Sequence, residues 1–413
     1  MRIGVLGSGA REHALQWALK SDPAAETVYA LPGNGGTTDN VPVDPHDTGA
    51  VQTTCEDLRL DLLVVGPEAP LAAGIVDAFT GHRTRVFGPT QAAARLEASK
   101  SWAKAFMQRH RIPTPVARTI GSLSELTAAA AACPKGCAIK ADGLAGGKGV
   151  VLCRTPSEAD AAWHHLAATR PTGERILVEP LVGGWELSIH VLTDGSTWAL
   201  FPSSQDHKAL YDGNRGPNTG GMGTISPVAA CDQELIDRII AQIVEPTVEG
   251  LREDGIRYCG FLYFGLMITA DGPVVLEYNA RLGDPETQVL LPALTSDPLP
   301  TLLACLDGAL AAQPPTFAEG CRVGVVLASA GYPAQPITGH PIVGLEPEPA
   351  ALVFHGGTQR DGNRLLTAGG RVLTVVGDGP APHDAIGSAY RAVNTIRFDG
   401  MQYRKDIGMR GET

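Results

Sequence analysis

An acid and an amide stand two residues apart in the segment VVLEYNARLGDPETQ, residues 274–288. On a strand, Glu277 and Asn279 face the same side, where their oxygens can share a hard cation such as Mg²⁺. Arg281 follows at a position suited to hold a transferring phosphoryl group or an acyl phosphate. The competing interpretation is an edge strand with solvated polar residues. The apolar residues directly before Glu277 favour the metal site.

A glycine-rich loop, ADGLAGGKGVV, occupies residues 141–151 between two apolar runs. Lys140 precedes the loop and Lys148 lies inside it, so both can supply positive charge to polyphosphate oxygens. The glycines that would let the backbone approach those oxygens are Gly146, Gly147 and Gly149. A P-loop is excluded, because glycine follows the lysine where a hydroxyl is required. The pattern predicts a mobile hairpin lid, and a surface turn with exposed lysines is the alternative.

A third segment, SQDHKALYDGNRGPNTGGMG, combines charged residues with a glycine-rich stretch over residues 204–223. Asp206, Lys208 and Asp212 provide charge before the glycines begin. Such a composition suits a loop whose N–H groups lie close to a substrate. A long disordered surface loop is the alternative, but it would contain more serine and charge.

These segments need a scaffold, and strand and helix patterns alternate through the first hundred residues. Nearly continuous apolar strands predict a doubly wound parallel sheet that ends near Ser99. The GSG turn, residues 7–9, follows the first strand and opens a helix, which suits an anion such as phosphate. Glu12 stands where a nicotinamide-binding fingerprint requires glycine, so a dehydrogenase is disfavoured. LAAGIVDAF, residues 71–79, is predicted as one helix.

From Lys100 onward the pattern changes to α+β. A helix places Lys100 and Lys104 on one face. Two antiparallel hairpins are predicted to turn at residues 194–195 and 271–272. The predicted fold class is therefore multidomain α/β and α+β, and the expected domains are residues 1–99, residues 100–322 with a mobile lid at about 121–187, and residues 323–413.

Composition narrows the class of ligand. The chain has 413 residues, a net charge of -11 and a pI near 5.5, which argues against sequence-independent binding to nucleic acid. Its apolar runs are too short for a membrane helix. The 8 cysteines include no C-x-x-C pair, which favours reduced thiols in the cytoplasm. We expect small-molecule substrates, with no nucleic-acid or membrane partner.

Taken in order, the motifs resemble those of the glycinamide ribonucleotide synthetases, also called phosphoribosylamine–glycine ligases, of purine biosynthesis. The resemblance runs nearly end to end through GSGAREHAL, PGNGGT, VVGPEAPL, IKADGLAGGKGV, SQDHK, GPNTGGMG, EYNARLGDPETQ and RKDIG. It implies an ATP-grasp fold, with ATP and Mg²⁺ or Mn²⁺ as cofactors and glycine and 5-phosphoribosylamine as substrates. ATP would phosphorylate the glycine carboxylate, and the amine would attack the acyl phosphate to give an amide, ADP and phosphate. A monomer or weak homodimer is expected.

The resemblance also implies roles for individual residues. Glu277 and Asn279 would bind the metal, and the catalytic residues would be Lys148, Asp206, Lys208 and Arg281. The ATP contacts would be Lys104, Lys140, Gly146, Gly147, Lys148, Gly149, Glu179, Leu181 and Glu186. The substrate contacts would be Gly9, Arg11, Glu12, Asn34, Gly66, Pro67, Glu68, Asp212, Pro217, Asn218, Thr219, Gly220, Gly221, Met222, Gly223, Arg281, Gly283, Asp284 and Glu286.

Several positions depart from the family pattern. Glu179, Pro180 and Leu181 stand where the family usually has E-E-F, and Ala209 replaces the arginine of D-H-K-R. Asn214 stands where an acid is usual. These departures leave two alternatives open: a paralogous ligase of a specialised pathway that joins another amine and amino acid, and a catalytically silent nucleotide-binding protein on the same scaffold.

Overall fold

The computed structural model describes residues 1–144, 149–155, 157–169, 175–345 and 351–409. Its first sheet is fully parallel, with the strand order β2-β1-β3-β4. The strands are β1 Arg2–Gly7, β2 Thr27–Pro32, β3 Leu62–Val65 and β4 Arg85–Phe87. Ile3, Val5 and Leu62 are fully buried, as expected for strands that helices cover on both faces. The predicted doubly wound sheet is confirmed.

Five helices accompany this sheet: α1 Ala10–Lys20, α2 Thr48–Asp57, α3 Glu68–Ala73, α4 Ile75–Ala78 and α5 Gln91–Ala98. The chain leaves β1 toward β2 on one side and reaches β3 on the other, so the strand order reverses between β1 and β3. The turns after these two strands, residues 7–9 and 66–68, meet at that reversal. A switch of this kind is where α/β sheets bind ligands.

The predicted helix at residues 71–79 is wrong in one respect. Gly74 adopts a left-handed conformation with φ 89° and separates α3 from α4. A glycine in the left-handed conformation ends a helix, because it turns the chain that follows out of the helical path. The sequence reasoning also did not identify α5, whose first turn is capped by the Thr90 side chain.

The central sheet is antiparallel, in the order β10-β9-β15-β16. Its strands are β9 Trp185–Thr193, β10 Trp198–Leu200, β15 Gly260–Thr269 and β16 Gly272–Asn279. Both predicted hairpins are present, β9 with β10 and β15 with β16. The helices beside it are α6 Lys100–Arg109, α9 Gln233–Ile239 and α10 Glu245–Glu253, with a π-helical turn Ile240–Val244 between the last two. Phe106, Leu262 and Phe264 are buried in the apolar core between these helices and the sheet.

A smaller lobe precedes this sheet in the chain. Its antiparallel strands lie in the order β5-β8-β6-β7. The elements are β5 Arg118–Ile120, α7 Leu123–Ala131, β6 Cys137–Ala141, β7 Val150–Cys153, α8 Glu158–Thr169 and β8 Ile176–Pro180. Leu126, Ile139 and Leu166 belong to its separate apolar core.

The C-terminal sheet has the order β11-β14-β17-β21-β18 and includes two strands from the segment that carries the GPNTGGMG motif. The strands of that segment are β11 Gln205–Asp206, β12 Ala209–Tyr211, β13 Arg215–Asn218 and β14 Gly223–Ser226. The later strands are β17 Cys321–Ala328, β18 Ala351–His355, β19 Thr358–Asp361, β20 Arg364–Thr367 and β21 Arg371–Gly379. The later helices are α11 Thr287–Leu290, α12 Pro298–Leu306 and α13 Pro382–Val393, with 3₁₀ turns Leu291–Ala293 and Leu310–Ala312. Pairing of β14 with β17 anchors the glycine-rich segment on this sheet.

Two further features concern the environment of the chain. The eight cysteines are all free thiols. Among the described residues, no helix combines the length and apolar character needed to cross a bilayer.

Two histidines, the half-buried His13 and the buried His355, join the N-terminal domain to the C-terminal sheet. The backbone N–H of His355 donates to His13 Nδ1 at 2.9 Å, and both rings pack against each other. Burial lowers the pKa of His13 to about 4. Because Nδ1 must be unprotonated to accept this hydrogen bond, the contact requires a neutral ring.

This contact predicts a loss of stability in acid that depends on His13. Unfolded histidine takes up a proton near pH 6.5, whereas folded His13 stays neutral down to about 4, so acidification between these values favours unfolding. At pH 5 we expect this residue alone to cost about 2 kcal/mol. Replacement by an uncharged acceptor, His13→Gln, should reduce the fall in Tm between pH 7 and pH 5. The exposed His46→Gln is the control, and an equal fall in wild type and His13→Gln contradicts the prediction.

Candidate active site

A cavity of about 690 Å³ lies between the small lobe, the central sheet and the switch-point turns of the N-terminal domain. Its volume suits a nucleotide-sized ligand. The predicted site residues that line it are Arg11, Glu68, Lys104, Lys140, Gly149, Glu179, Leu181, Glu186, Asp206, Lys208, Asn218, Thr219, Gly220, Glu277, Asn279, Arg281, Gly283, Asp284 and Glu286. Residues from three sheets and the N-terminal turns therefore meet in one place.

Two lysines on one wall share a carboxylate. Lys104 on α6 and Lys140 on β6 each place Nζ 3.0 Å from Glu179 Oε2. Glu179 is 2% exposed, so it supplies buried negative charge between two cations. Burial lowers the pKa of Lys104 to about 8, although Glu179 opposes that shift.

A β-bulge helps to fix Lys140. The pairing of β15 with β16 shifts register between Gly265 and Leu266, opposite Leu276. A bulge leaves a residue of the strand out of the regular ladder. The Leu276 carbonyl accepts a hydrogen bond from Lys140 Nζ at 3.1 Å. The irregularity of β16 thus gives the small lobe a contact with the central sheet.

Glu277 and Asn279 lie beyond this bulge and both line the cavity. Lys208 Nζ lies 3.4 Å from Glu277 Oε1 and 3.2 Å from Glu186 Oε2. The Lys208 ammonium lowers the pKa of Glu277 to about 2, and Lys140 and Lys100 contribute in the same direction. Glu277 is therefore ionised at neutral pH, as a metal-binding carboxylate must be.

Arg281 follows at the end of β16 and lies between two acids. Its Nε is 3.2 Å from Glu68 Oε2, and its Nη2 is 2.7 Å from Glu97 Oε1. Burial by itself would lower the pKa of Arg281, but the carboxylates of Glu97 and Glu68 outweigh it and raise the pKa. Arg11 Nη2 also lies 4.0 Å from Glu68 Oε2. The arginine is held in a fixed, charged state at the junction of two domains.

The GPNTGGMG segment is held by residues of the C-terminal domain. Arg371 Nη1 donates to the carbonyls of Gly220 and Asp284 at 2.6 and 2.7 Å, and its Nη2 pairs with Asp284 Oδ2 at 3.1 Å. The Tyr332 hydroxyl accepts from the Gly220 N–H at 2.9 Å. Arg371 thus fastens the loop to the GDPE turn, residues 283–286.

The reason for glycine at position 221 is close packing. Gly221 has φ 113°, and a Cβ there would lie 2.5 Å from Pro285 Cδ and 2.6 Å from Asp206 Oδ1. Its N–H donates to the Thr219 hydroxyl at 3.0 Å. The sequence suggested N–H groups presented to a substrate, whereas at positions 220 and 221 they are bonded within the protein.

Three acids lie beneath this loop. Asp206 is half-buried with its Oδ1 shielded from solvent, and desolvation together with the Glu286 carboxylate raises its pKa. Glu286 Oε1 accepts from the Ser188 hydroxyl at 3.0 Å, and burial raises the pKa of Glu286 as well. Burial likewise opposes ionisation of Asp284, but Arg371 and Arg11 lower its pKa. The floor of the cavity thus combines a stably ionised acid with two acids that hold protons more tightly.

Other predicted residues lie outside the cavity lining. These are Gly9, Glu12, Asn34, Gly66, Pro67, Asp212, Pro217, Gly221, Met222 and Gly223. Met222 is fully buried in an apolar cluster with Leu210 and Ala328, and Asp212 Oδ1 accepts from the Lys405 N–H at 2.8 Å. Asn34 Nδ2 donates to the His355 carbonyl at 2.6 Å. Gly146, Gly147 and Lys148 lie outside the described residues.

Glu12 explains the absence of a nicotinamide fingerprint in physical terms. Its Oε2 accepts from the Gly9 N–H at 2.6 Å, and its Oε1 pairs with Arg11 at 2.6 Å. A Cβ on Gly7 would lie 2.6 Å from Glu12 Cγ. The acid side chain therefore occupies the helix N-terminus where a dinucleotide phosphate would bind.

Sequence reasoning missed three site residues. Glu97 contacts Arg281, Lys100 donates to the Gly143 carbonyl at 2.8 Å, and Arg371 fastens the loop. Lys100 was recognised as sharing a helix face with Lys104, which was a usable signal. Glu97 and Arg371 carried no local signal, because their partners are distant in sequence.

Comparison with known proteins identifies the family of this chain. Three family models match the chain: phosphoribosylglycinamide synthetase N domain over residues 1–97, its ATP-grasp (A) domain over 98–287, and its C domain over 322–410. The chain belongs to the phosphoribosylglycinamide synthetase family. The predicted family, fold class and enzyme class, an ATP-dependent carbon–nitrogen ligase, are confirmed.

Individual relatives match this chain over nearly its whole length. Proteins named phosphoribosylamine–glycine ligase from Ralstonia nicotianae and Chlorobaculum tepidum are 46% and 44% identical, each over 99% of both chains. The crystal structure of the Thermotoga maritima ligase of that name has a TM-score of 0.82 and 33% identity, covering 98% of this chain and 100% of that one. As an ATP-grasp ligase, the protein uses ATP with a divalent metal and acts on small molecules.

The Arg371 contacts predict a local change in dynamics. Arg371→Met removes the donor to the Gly220 and Asp284 carbonyls, so amide hydrogen exchange over residues 216–223 should accelerate. Arg397, an exposed arginine of the same domain, donates to the Ile396 carbonyl at 2.6 Å. Arg397→Met is the matched control and should leave exchange in residues 216–223 unchanged. Unchanged exchange in both variants would show that Arg371 does not hold the loop.

Proposed function

We propose that this chain joins glycine to 5-phosphoribosylamine at the expense of ATP, as part of de novo purine biosynthesis. The observation that carries the proposal is the convergence of Lys104 and Lys140 with Glu277, Asn279 and Arg281 in one cavity of a chain from this family. The names of the relatives support the choice of substrates. The Gallus gallus trifunctional purine biosynthetic protein adenosine-3, 43% identical over 99% of this chain and 42% of that protein, supports the pathway.

The reaction requires that a carboxylate be activated. An oxygen of the glycine carboxylate attacks the γ-phosphorus of ATP, and the bond to the ADP oxygen breaks. The amine nitrogen of 5-phosphoribosylamine then attacks the carbonyl carbon of glycyl phosphate. The carbon–oxygen bond to phosphate breaks, and the nitrogen loses a proton to give the amide. Both steps place negative charge on phosphate oxygens, so fixed cations are the main catalytic requirement.

On the nucleotide side, Lys104 and Lys140 contact ATP phosphates. Their shared carboxylate, Glu179, keeps both ammonium groups together before nucleotide binds. By resemblance, Gly149 contacts the phosphates, as do Gly146, Gly147 and Lys148, which lie outside the described residues. Glu179, Leu181 and Glu186 line the same cavity, which supports their proposed role as contacts to the nucleotide.

Glu277 and Asn279 would hold the divalent cation, Mg²⁺ or Mn²⁺. The donor set fits this role, since an ionised carboxylate and an amide oxygen are hard ligands. No cluster of three or more His, Cys, Asp or Glu residues suited to a metal occurs within the described ranges. Triphosphate oxygens and water molecules would supply its remaining ligands. When bound, it would neutralise charge on the phosphates.

Arg281 stabilises the acyl phosphate, and Asp206 and Lys208 assist at the same point. Arg11, which follows the GSG turn, and Glu68, which lies in the GPEAPL turn, face the phosphoribosyl group. Asn218, Thr219 and Gly220 close over the substrates with Gly283, Asp284 and Glu286. Gly9, Glu12, Asn34, Gly66, Pro67, Asp212, Pro217, Gly221, Met222 and Gly223 support these turns from outside the cavity lining.

The proposed setting is the cytoplasm, with a monomer or weak homodimer as the assembly. Eight free thiols fit a reducing compartment. Sedimentation equilibrium of the purified protein measures the assembly directly.

The substrates are tested by measuring ADP release with glycine and freshly generated phosphoribosylamine, each omitted in turn. ADP formation should require both compounds, because the acyl phosphate is formed only for transfer to the amine. Release of ADP with another amino acid or amine in preference would identify a paralogous ligase. Binding of ATP with no release of ADP would identify a silent nucleotide-binding protein.

Loss of the Glu277 charge should stop turnover without unfolding the protein. We expect Glu277→Gln to lower kcat by about 100-fold or more, since charge at the transferring phosphoryl group is the principal catalytic requirement. Glu249 is exposed and pairs with Arg252 within one helix, so Glu249→Gln is the matched control. A rate equal to that of the control would exclude Glu277 from the reaction.

The low pKa of Lys104 makes ATP binding dependent on pH. The ammonium is present below about pH 8 and is lost as pH rises through that value. The Kd for ATP, measured by calorimetry, should therefore increase by up to about tenfold between pH 7 and pH 9. Lys104→Arg keeps its charge over this range and should flatten the profile. An identical slope in both proteins would show that Lys104 does not titrate at the phosphates.

A further inference from the structure

We infer that Glu97, at the end of α5, is a positioning residue for the reaction. It orients Asn279 and Arg281 together, and it acts on the reaction through these two side chains. This inference rests on the proposed function, because those two residues act there as metal ligand and acyl-phosphate contact.

The contacts of Glu97 involve three consecutive residues of the site. Its Oε1 is 2.7 Å from Arg281 Nη2, and its Oε2 accepts from the Ala280 N–H at 2.8 Å. With the Asn279 amide oriented so that its nitrogen faces Glu97, that nitrogen donates to Oε1 at 3.1 Å and to the Tyr278 carbonyl at 3.0 Å. The Glu97 carboxylate therefore accepts hydrogen bonds from the Arg281 guanidinium, the Ala280 N–H and the Asn279 amide.

The orientation of Asn279 follows from these contacts. The Tyr278 carbonyl can only accept hydrogen bonds, and the two Glu97 oxygens already accept from Arg281 and from the Ala280 N–H, so these two partners together select the amide nitrogen of Asn279 rather than its oxygen. The oxygen is left as the amide atom turned away from Glu97. This is the atom that a hard cation requires.

The position of Glu97 is itself fixed by packing. Its neighbours Ala93, Ala94 and Leu96 are buried at 0, 2 and 1% exposure, so α5 is anchored along its length. Glu97 is 9% exposed, which limits water as an alternative partner for its oxygens. The helix that follows directly, α6, carries Lys104. Glu97 thus ties the end of β16 to the part of the chain that leads into the lysine-bearing helix.

Arg281 has a second acidic partner, Glu68, which separates the positioning role of Glu97 from simple charge neutralisation. Glu68 also pairs with Arg281, through Nε at 3.2 Å, so loss of Glu97 would not leave Arg281 without a counter-charge. The Arg281 guanidinium keeps its contact with Glu68 and the hydrogen bond from Nη1 to the Leu282 carbonyl at 3.1 Å. What is lost is the third contact, which fixes Nη2, together with the constraint on Asn279. We therefore expect an effect on geometry and turnover larger than the effect on stability.

The test is Glu97→Gln, which preserves size but removes the charge and presents an NH₂ group to donors. Asp22 is the matched control: it is 3% exposed and accepts from the Leu299 N–H at 2.9 Å, away from the cavity. We expect Glu97→Gln to lower kcat about 100-fold, as a small misplacement of a reacting group does, with a Tm close to that of Asp22→Asn. The Mg²⁺ concentration that gives half-maximal rate should also rise.

A double-mutant cycle with Arg281→Lys separates positioning from a general structural role. If Glu97 acts through Arg281, Glu97→Gln should lower kcat far less in the Arg281→Lys protein than in wild type. Equal losses in both backgrounds would overturn the inference. So would an Arg281→Lys protein with the wild-type rate, or a Glu97→Gln protein with the rate of Asp22→Asn.

Two further measurements distinguish a positioning role of Glu97 from a folding role, and failure of this inference from failure of the proposed function. If Glu97→Gln does not fold, Glu97→Asp retains the charge on a shorter arm and takes its place; if neither folds, Glu97 is a folding residue and the inference is wrong. A crystal structure of the variant should show the Arg281 guanidinium and the Asn279 amide displaced, whatever the reaction catalysed. Unmoved side chains would overturn the inference, whereas a wild-type protein that releases no ADP with glycine and phosphoribosylamine would overturn only the proposed function.

Discussion

Charge compensation inside a largely buried cleft is the constraint on which this structure depends. A charge removed from water is costly unless another group of the protein balances it. Here Lys104 and Lys140 share Glu179, Lys208 lies between Glu186 and Glu277, and Arg281 lies between Glu68 and Glu97. The pairs keep cations concentrated where triphosphate oxygens would bind, and they hold them in place before any ligand arrives.

These pairs also determine how the domains contact one another. Arg281 at the end of β16 meets Glu68 from the N-terminal domain, and Lys140 from the small lobe reaches the Leu276 carbonyl at the bulge of the same strand. Arg371 brings the C-terminal domain to Asp284, only a few residues further along the chain. A short stretch around residues 276–284 is therefore the common attachment point for all parts of the molecule.

Local patterns were enough to predict much of this architecture. The parallel sheet followed from continuous apolar strands, and the pairing of Glu277 with Asn279 on one face followed from the two-residue period of a strand. Glu97 was missed because its contact with the Ala280 N–H spans 183 residues of sequence, and Arg371 was missed for the same reason, with 151 residues to Gly220. The glycine at 221 was recognised as significant, but its packing against Pro285 depends on tertiary structure that no local pattern contains.

The proposed mechanism requires that the charges paired in this cleft surround the reacting phosphates and that Glu277 and Asn279 bind the metal. A crystal structure of the protein with Mg²⁺ and a non-hydrolysable ATP analogue tests it most directly. We predict a cation about 2.1 Å from an oxygen of each of those two side chains, with the analogue's phosphates against Lys104 and Lys140. A cation held by neither side chain, or phosphates bound away from both lysines, would contradict the account.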